Sequence, residues 1–470
     1  MKKNIAICWF RQDLRLSDNP ALSAASNHEN ILPIYILDKD NSGENYIGEA
    51  SKLWLHHSLT ALKKSLNGKL WIASGDPIVI LSNLIETYPI KAVYWNRCYE
   101  PWRIKRDKKI KNELSKKNII VKTYNGSLLW EPWEIRKDDG SPYKVFTPFY
   151  RKAFSDSISP RKPLQARAHK NLFYEADKNV NIEDLNLLPN NSWDSKIKQH
   201  WGIGEKAATA RFSEFMEHGI ENYQMARDFP SVPSVSRISP HIHYGEISPN
   251  YMWHMARSKG YSEQIDLFCK QLGWREFSYS QLYFNPDLPK ENLQTKFDNF
   301  PWENNAVGFE AWTRGITGIP LVDAGMRELW NTGYMHNRVR MIVGSFLVKN
   351  LLIHWRKGER WFWNTLVDAD LANNAAGWQW VAGCGSDAAP YFRIFNPVSQ
   401  AKKFDPEGRY IRKYLPELSK IPDRFLFSPW EAPEDVLANA GVALGVNYPL
   451  PVVDLKFSRE RALRSYKSIS

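Results

Sequence analysis

Ile5-Ala6-Ile7-Cys8-Trp9-Phe10-Arg11-Gln12-Asp13-Leu14-Arg15 opens the chain with six apolar residues that stop at a charged turn. A short run rich in β-branched and aromatic residues reads as a buried strand. Similar runs follow at 31–37, 70–73, 91–95 and 119–124, and amphipathic stretches such as 49–66 and 77–88 lie between them. Strands that alternate with helical segments predict a parallel, doubly wound sheet, which binds ligands at the carboxyl ends of its strands. No Gly-rich turn follows the first strand, so the ordinary phosphate-binding turn of such sheets is not expected.

Beyond residue 125 the pattern weakens into a Pro-, Ser-, Asn- and Lys-rich stretch, too long for a simple loop and therefore expected to be partly structured. From Gly202 the period becomes helical, with stretches at 207–218, 249–256, 263–283, 321–331 and 338–354. Gly202-Ile203-Gly204 imitates a dinucleotide fingerprint, but no strand precedes it, so it reads as a helix start. The expected architecture is an α/β doubly wound (Rossmann-like) domain over 1–130, a linker over 131–200 and an all-α domain over 201–470.

The net charge of +12 suits a phosphate-bearing partner. Four scattered cysteines (Cys8, Cys98, Cys269, Cys384) with no C-x-x-C pair argue against a zinc site or a disulfide framework. The apolar run after Lys2 and Lys3 is too short for a signal peptide, and none approaches a membrane span. A cytoplasmic protein is expected, with no membrane partner.

Twenty tryptophans crowd toward the C-terminal half, most densely between Trp355 and Asn396. Indole is easily oxidised by one electron, and its flat face suits stacking on a π-system. Three segments are arranged for one planar, partly anionic ligand. Ser234-Val235-Ser236-Arg237-Ile238-Ser239-Pro240 offers hydroxyls and backbone N–H groups ahead of a helix, as a pyrophosphate needs. Gln271, Trp274 and Arg275 share a helical face. Asn337, Arg340 and Met341 precede a stretch in which Asp368 and Asp370 flank one alanine and Asn374 follows a turn later. Acids so close together need cationic or ligand partners, and no histidine clusters with them at metal-ligand spacing, so no metal is expected.

Trp274-Arg275-Glu276-Phe277, Gly333-Tyr334-Met335-His336-Asn337-Arg338, the run from Asp368 to Asn374, the run from Asp387 to Pro397, and Trp9 to Arg15 continuing to Asp18-Asn19 together resemble the photolyase/cryptochrome family over nearly the whole chain. The resemblance implies an α/β antenna domain, a helical FAD-binding domain and light-driven repair of UV-damaged DNA or light sensing.

By position, it implies flavin contacts from Tyr223, Ser236, Arg237, Ile238, Ser239, Gln271, Arg275, Asn337, Arg340, Asp368, Asp370 and Asn374. It implies an electron-hopping series of Trp378, Trp355 and Trp302. Lesion or DNA contacts fall to Arg227, Gln271, Trp274, Asn337, Arg338, Met341 and Trp380. Trp330, Trp361 and Trp363 are expected in the core.

The amide of Asn374, where plant cryptochromes typically carry an acid, favours repair. Met341, where (6-4) photolyases place a histidine, favours cyclobutane dimers. Gln271 departs from the glutamate of class I enzymes and points toward the class III bacterial photolyases. Trp102-Arg103 replaces the Asn-Glu pair of class I folate pockets, so 5,10-methenyltetrahydrofolate is expected as antenna on a different surface, with a deazaflavin or no antenna as the alternatives. The expected function is that of a deoxyribodipyrimidine photo-lyase acting as a monomer in the cytoplasm, nucleoid-associated in use. A cryptochrome-type photoreceptor and a (6-4) photolyase are the rivals.

Overall fold

The computed structural model describes residues 4–154, 159–165, 171–176, 179–189, 193–388 and 393–469. Residues 389–392, part of the Asp387–Pro397 motif, lie outside them. Two compact units form: Met1–Glu221 with Ser236–Pro286 and Val367–Ala372, and Asn222–Val235 with Asp287–Leu366 and Asn373–Ser470.

The first unit is built on five strands: β1 (Ile5–Phe10), β2 (Asn30–Leu37), β3 (Trp71–Ser74), β4 (Ile90–Asn96) and β5 (Ile120–Tyr124). All pairings are parallel, in the order β3-β2-β1-β4-β5. Every residue of central β1 is buried, as the unbroken apolar run requires of a strand covered on both faces. Edge strand β5 is only partly covered and carries Lys122 outward. Observed strand ends lie within one residue of the sequence expectation.

Helix Glu49–Ser65 follows β2. Helix Pro77–Thr87 begins where Asp76 accepts from Ile78 N and proline fills the first turn. Trp9 and Trp95 meet edge-on in the sheet core, ring centroids 5.6 Å apart.

The 126–200 stretch is partly structured, with helices Phe146–Phe154 and Trp193–Lys198 and a bridge from Leu172 to Ile31. Arg161 ties it to Asp18 at 2.5 Å. Gly204 caps helix Glu205–Glu214 at φ 102°, and Glu205 accepts from Leu16 N and Ser17 N, both at 2.8 Å. The Gly-x-Gly element is thus a helix start that clasps the turn after β1.

Gly245, at φ 65°, lies against that same turn. A Cβ there would sit 2.2 Å from Gln12 O and 2.5 Å from Asp13 Cα. Both backbone strain and a backbone clash oppose any side chain. Gly245→Ala is therefore expected to lower stability by about 3 kcal/mol or more, read from the urea unfolding midpoint.

The second unit is helical. Buried Asp323, on helix Pro320–Thr332, accepts from Thr317 N (2.6 Å), Thr317 Oγ1 (2.6 Å), Gly318 N (3.0 Å) and the Tyr448 hydroxyl (2.9 Å). The single helix expected over 338–354 is instead Asn337–Ser345 followed by a π-turn, Phe346–Asn350. Leu352 then takes φ 52°, and His354 caps the next helix, Trp355–Thr365, by accepting from Arg356 N. The apolar periodicity runs through this break, which is why it reads as one helix. Trp330, expected in the core, is 46% exposed and stacks on Trp361 at 6.2 Å, and Trp361 and Trp363 are only partly buried. An indole stacked on another covers one face and leaves the rest to water.

Candidate functional site

In the first unit the chain reverses through Arg237, which holds φ 48°, into the short helix Ser239–His243. Arg237 lies over the Trp201 ring at 4.5 Å. The turn presents Ser239 Oγ to Asp368 Oδ2 at 2.6 Å. One turn later His243 Nδ1 meets Asp370 Oδ2 at 3.3 Å, and the Tyr279 hydroxyl donates to the same oxygen. Both acids are buried. Burial alone would raise the Asp370 pKa. The hydrogen bond and charge of His243, then the Arg275 charge and the Tyr279 hydroxyl, outweigh it and hold the carboxyl well below the usual range.

Helix Glu263–Phe284 supplies the rest of this half. Trp274 is stacked on Phe146, centroids 3.8 Å apart and planes 10° apart, so its orientation is fixed. Gln271 Nε2 donates to Leu267 O at 3.3 Å. Arg275 Nη1 is engaged by Ser127 O (2.8 Å) and Glu276 Oε1 (3.1 Å), and its guanidinium lies over Tyr279 at 4.8 Å. Arg275 thus anchors the 127–130 loop as well as adding charge beside Asp370.

Glu276 was not expected as an anchor, yet it is buried and accepts from Leu129 N at 2.9 Å and Trp130 N at 3.3 Å. Burial pushes its pKa up to about 7 against the pull of Arg275. A raised folded pKa adds stability that is complete below the unfolded value of 4.5 and is lost as pH rises through about 7. Glu276→Gln is expected to flatten the fall in unfolding midpoint between about pH 5 and about pH 8.

In the second unit Tyr223 is buried beneath the Arg227 guanidinium at 5.3 Å. Arg338 pairs with Asp228 at 2.5 Å and lies over Phe404 at 4.4 Å. Asn337 is exposed at the start of its helix, with Arg338 and Met341 partly exposed beside it. Arg340 Nε donates to Met335 O at 2.7 Å. On helix Leu371–Ala382, Asn374 and Trp378 stand one turn apart. Asn374 Nδ2 donates to Glu359 O at 3.0 Å. Trp380 Nε1 is pinned to Asp387 O at 3.1 Å.

The expected tryptophan series is joined in part. Trp302 and Trp355 are bridged by His354, whose ring lies 5.0 Å from one and 5.7 Å from the other. Trp355 is fully buried, with Nε1 held by Asn292 Oδ1 at 2.9 Å. The rings around Trp378 are Phe362 at 5.0 Å and Trp312 at 6.2 Å. His243, Tyr279, Asp228, His354 and Trp312 escaped the sequence reading. Two had a signal: His243 and Tyr279 lie one helical turn after Ser239 and Arg275.

A family model described as the FAD binding domain of DNA photolyase matches residues 268–468, and one described as DNA photolyase matches residues 6–168. The deoxyribodipyrimidine photo-lyase of Agrobacterium fabrum is 46% identical over 477 residues, covering 100% of this chain and 99% of that protein. The chain belongs to the DNA photolyase/cryptochrome family. Among solved structures, a bacterial class III photolyase from Agrobacterium tumefaciens has a TM-score of 0.94 at 45% identity, covering 100% of this chain and 98% of that one. Cryptochrome-2 of Arabidopsis thaliana is 37% identical, covering 97% of this chain and 77% of that protein. The photolyase fold class and FAD-binding domain expected from the sequence are therefore both present. Among the described residues, no helix is long and apolar enough to cross a membrane.

Proposed function

We propose that this chain is a deoxyribodipyrimidine photo-lyase, a carbon–carbon lyase that uses reduced FAD and blue light to split cyclobutane pyrimidine dimers in UV-damaged DNA. The observation that carries repair over signalling is the orientation of Asn374. One Nδ2 hydrogen goes to Glu359 O, which fixes the amide plane and leaves Oδ1 able to accept from a ligand N–H. A neutral amide held this way accepts a hydrogen bond without supplying a proton.

The donor set fits FAD. Ser236, Arg237, Ile238 and Ser239 supply hydroxyl and backbone N–H donors ahead of a helix for the pyrophosphate. Asp368 and Asp370 are buried acceptors for ligand N–H and O–H groups, fixed by Ser239, His243 and Tyr279. Tyr223, Arg340 and Asn337 add further contacts. Reduced flavin, when bound, supplies the photoexcited electron. The protein's part is to hold, orient and exclude water. Trp274, locked against Phe146, and Trp380, pinned through its indole N–H, are rigid faces for a flipped-out dimer. Gln271 and Met341 contact the lesion, and Arg227 and Arg338 meet phosphates. Trp302, Trp355 and Trp378 carry electrons inward to restore the reduced flavin.

The pocket at the carboxyl edge of the first unit's sheet is lined by Trp9, Arg11, Tyr35, Trp102, Arg103 and Arg106; because it contains the Trp102-Arg103 pair, a 5,10-methenyltetrahydrofolate antenna is assigned to a different surface.

The deciding experiment illuminates the purified, flavin-reduced protein with oligonucleotides carrying cyclobutane or (6-4) lesions. Restoration of the cyclobutane substrate alone is expected. No repair of either lesion would leave the photoreceptor reading. Gln271→Glu is expected to change the repair yield, and an unchanged yield would remove residue 271 from the lesion contacts. The absorption spectrum before illumination reports the antenna.

A further inference from the structure

Three redox-active rings stand in series within the first unit. Tyr279 and Tyr99 are buried, with centroids 6.1 Å apart, and Tyr99 lies 6.4 Å from Trp133, which is 36% exposed. Each phenol donates its proton to a carboxylate: Tyr279 to Asp370, and Tyr99 to Glu131 Oε2 at 2.8 Å. A phenol is hard to oxidise in a dry interior unless its proton leaves with the electron, and an adjacent carboxylate gives that proton a place to go. Burial raises both phenol pKa values well above the ordinary 10, so neither ring reaches phenolate unaided. Arg97 binds Glu131 through Nε at 2.9 Å and sits 5.9 Å over the Trp133 ring. A fixed cation there disfavours positive charge on the indole, so an oxidising equivalent settles on Tyr99 instead.

We propose that Tyr279, Tyr99 and Trp133 form a second electron path, linking the Asp370 carboxylate to the protein surface with Tyr99 as its resting station. Only its inner terminus rests on the reading of Asp370 as a flavin contact. The oxidant is a photoexcited oxidised isoalloxazine. Tyr279 would give it one electron while the phenolic proton passes to Asp370. Asp370 is a weak base, but an oxidised phenol is a far stronger acid than a neutral one. Tyr99 then gives one electron to Tyr279 and its proton to Glu131, and Asp370 returns the first proton. Trp133 finally gives one electron to Tyr99, Glu131 returns the second proton, and a thiol in solution re-reduces the indole.

The test has two arms, both on the full-length flavin-bearing protein. In the first, photogenerated ruthenium(III) oxidises the surface in the dark state of the flavin, and electron paramagnetic resonance records the radicals. A tyrosyl spectrum that narrows with ring-deuterated tyrosine is expected, falling about tenfold in Tyr99→Phe and decaying faster in Glu131→Gln. In the second, blue light excites the oxidised flavin in a Trp378→Phe background, and the same radical is expected, again lost in Tyr99→Phe. Circular dichroism checks that each variant is folded. An undiminished tyrosyl signal in folded Tyr99→Phe overturns the proposal. A signal in the ruthenium arm without one in the light arm overturns the link to Asp370, while repair by the chemically reduced enzyme continues to report the proposed function separately.

Discussion

Trp378→Phe is expected to slow light-driven reduction of the oxidised flavin by about tenfold or more, while leaving repair by chemically pre-reduced protein close to normal. The first half follows from chemistry: phenylalanine keeps an aromatic ring but resists one-electron oxidation. The second follows from placement, because Trp378 is buried against Phe362, Trp312 and Gly358 and not among the groups assigned to the lesion. Phenylalanine leaves a small void at about 1–3 kcal/mol, so the fold survives. Gly358→Ala provides the structural control. A Cβ there would stand 2.2 Å from Trp378 Cη2 and 2.6 Å from Leu347 Cδ2. Displacing the indole without removing it is expected to cost stability and photoreduction together. Transient absorption of the flavin after a flash, compared with repair after dithionite reduction, separates these outcomes. Normal photoreduction in Trp378→Phe that persists when Tyr99→Phe is added would take Trp378 out of the electron series.

What the sequence made legible follows from which forces are local. β1 is written in six consecutive residues because a strand covered on both faces must be apolar throughout. Helix Pro77–Thr87 carries its own start in Asp76-Pro77. The break after Asn350 was not legible, because the left-handed turn at Leu352 has neither glycine nor proline to mark it. The site divides the same way. Asp368, Asp370 and Asn374 stand in one short motif, and Trp274 and Arg275 in another. The partners that give them meaning are distant in sequence: Ser239 is 129 residues from Asp368, and Tyr279 is 91 from Asp370. No period or cap encodes such a pairing. Gln271, Arg275 and Arg340 show the converse, since their helical phase was clear but their hydrogen bonds to Leu267 O, Ser127 O and Met335 O were not. Trp330 was misjudged because an indole's composition says nothing of its partner, here the neighbouring Trp361.

Asp370→Asn is expected to weaken FAD retention by about tenfold or more and to lower unfolding free energy by about 3 kcal/mol. Asparagine keeps the size of the side chain. It replaces one acceptor oxygen with an N–H₂ donor and removes the charge that faces Arg275. The Tyr279 hydroxyl or His243 then loses its acceptor inside a buried cluster, which exacts the full desolvation penalty of that group. The pH dependence carries a definite sign. Because the Asp370 pKa is held below its unfolded value of 3.8, its contribution is fully present above that value and declines as pH falls through the folded pKa. Wild-type protein is therefore expected to lose part of its advantage over the variant under strong acid, and none between about pH 5 and about pH 8 from this group. Urea midpoints across pH measure the structural part. Flavin released on dialysis, read from absorbance, measures the ligand part. A variant that is destabilised yet keeps FAD as tightly as wild type would make Asp370 a brace for His243 and Tyr279, and would leave the flavin to Ser239 and Asp368.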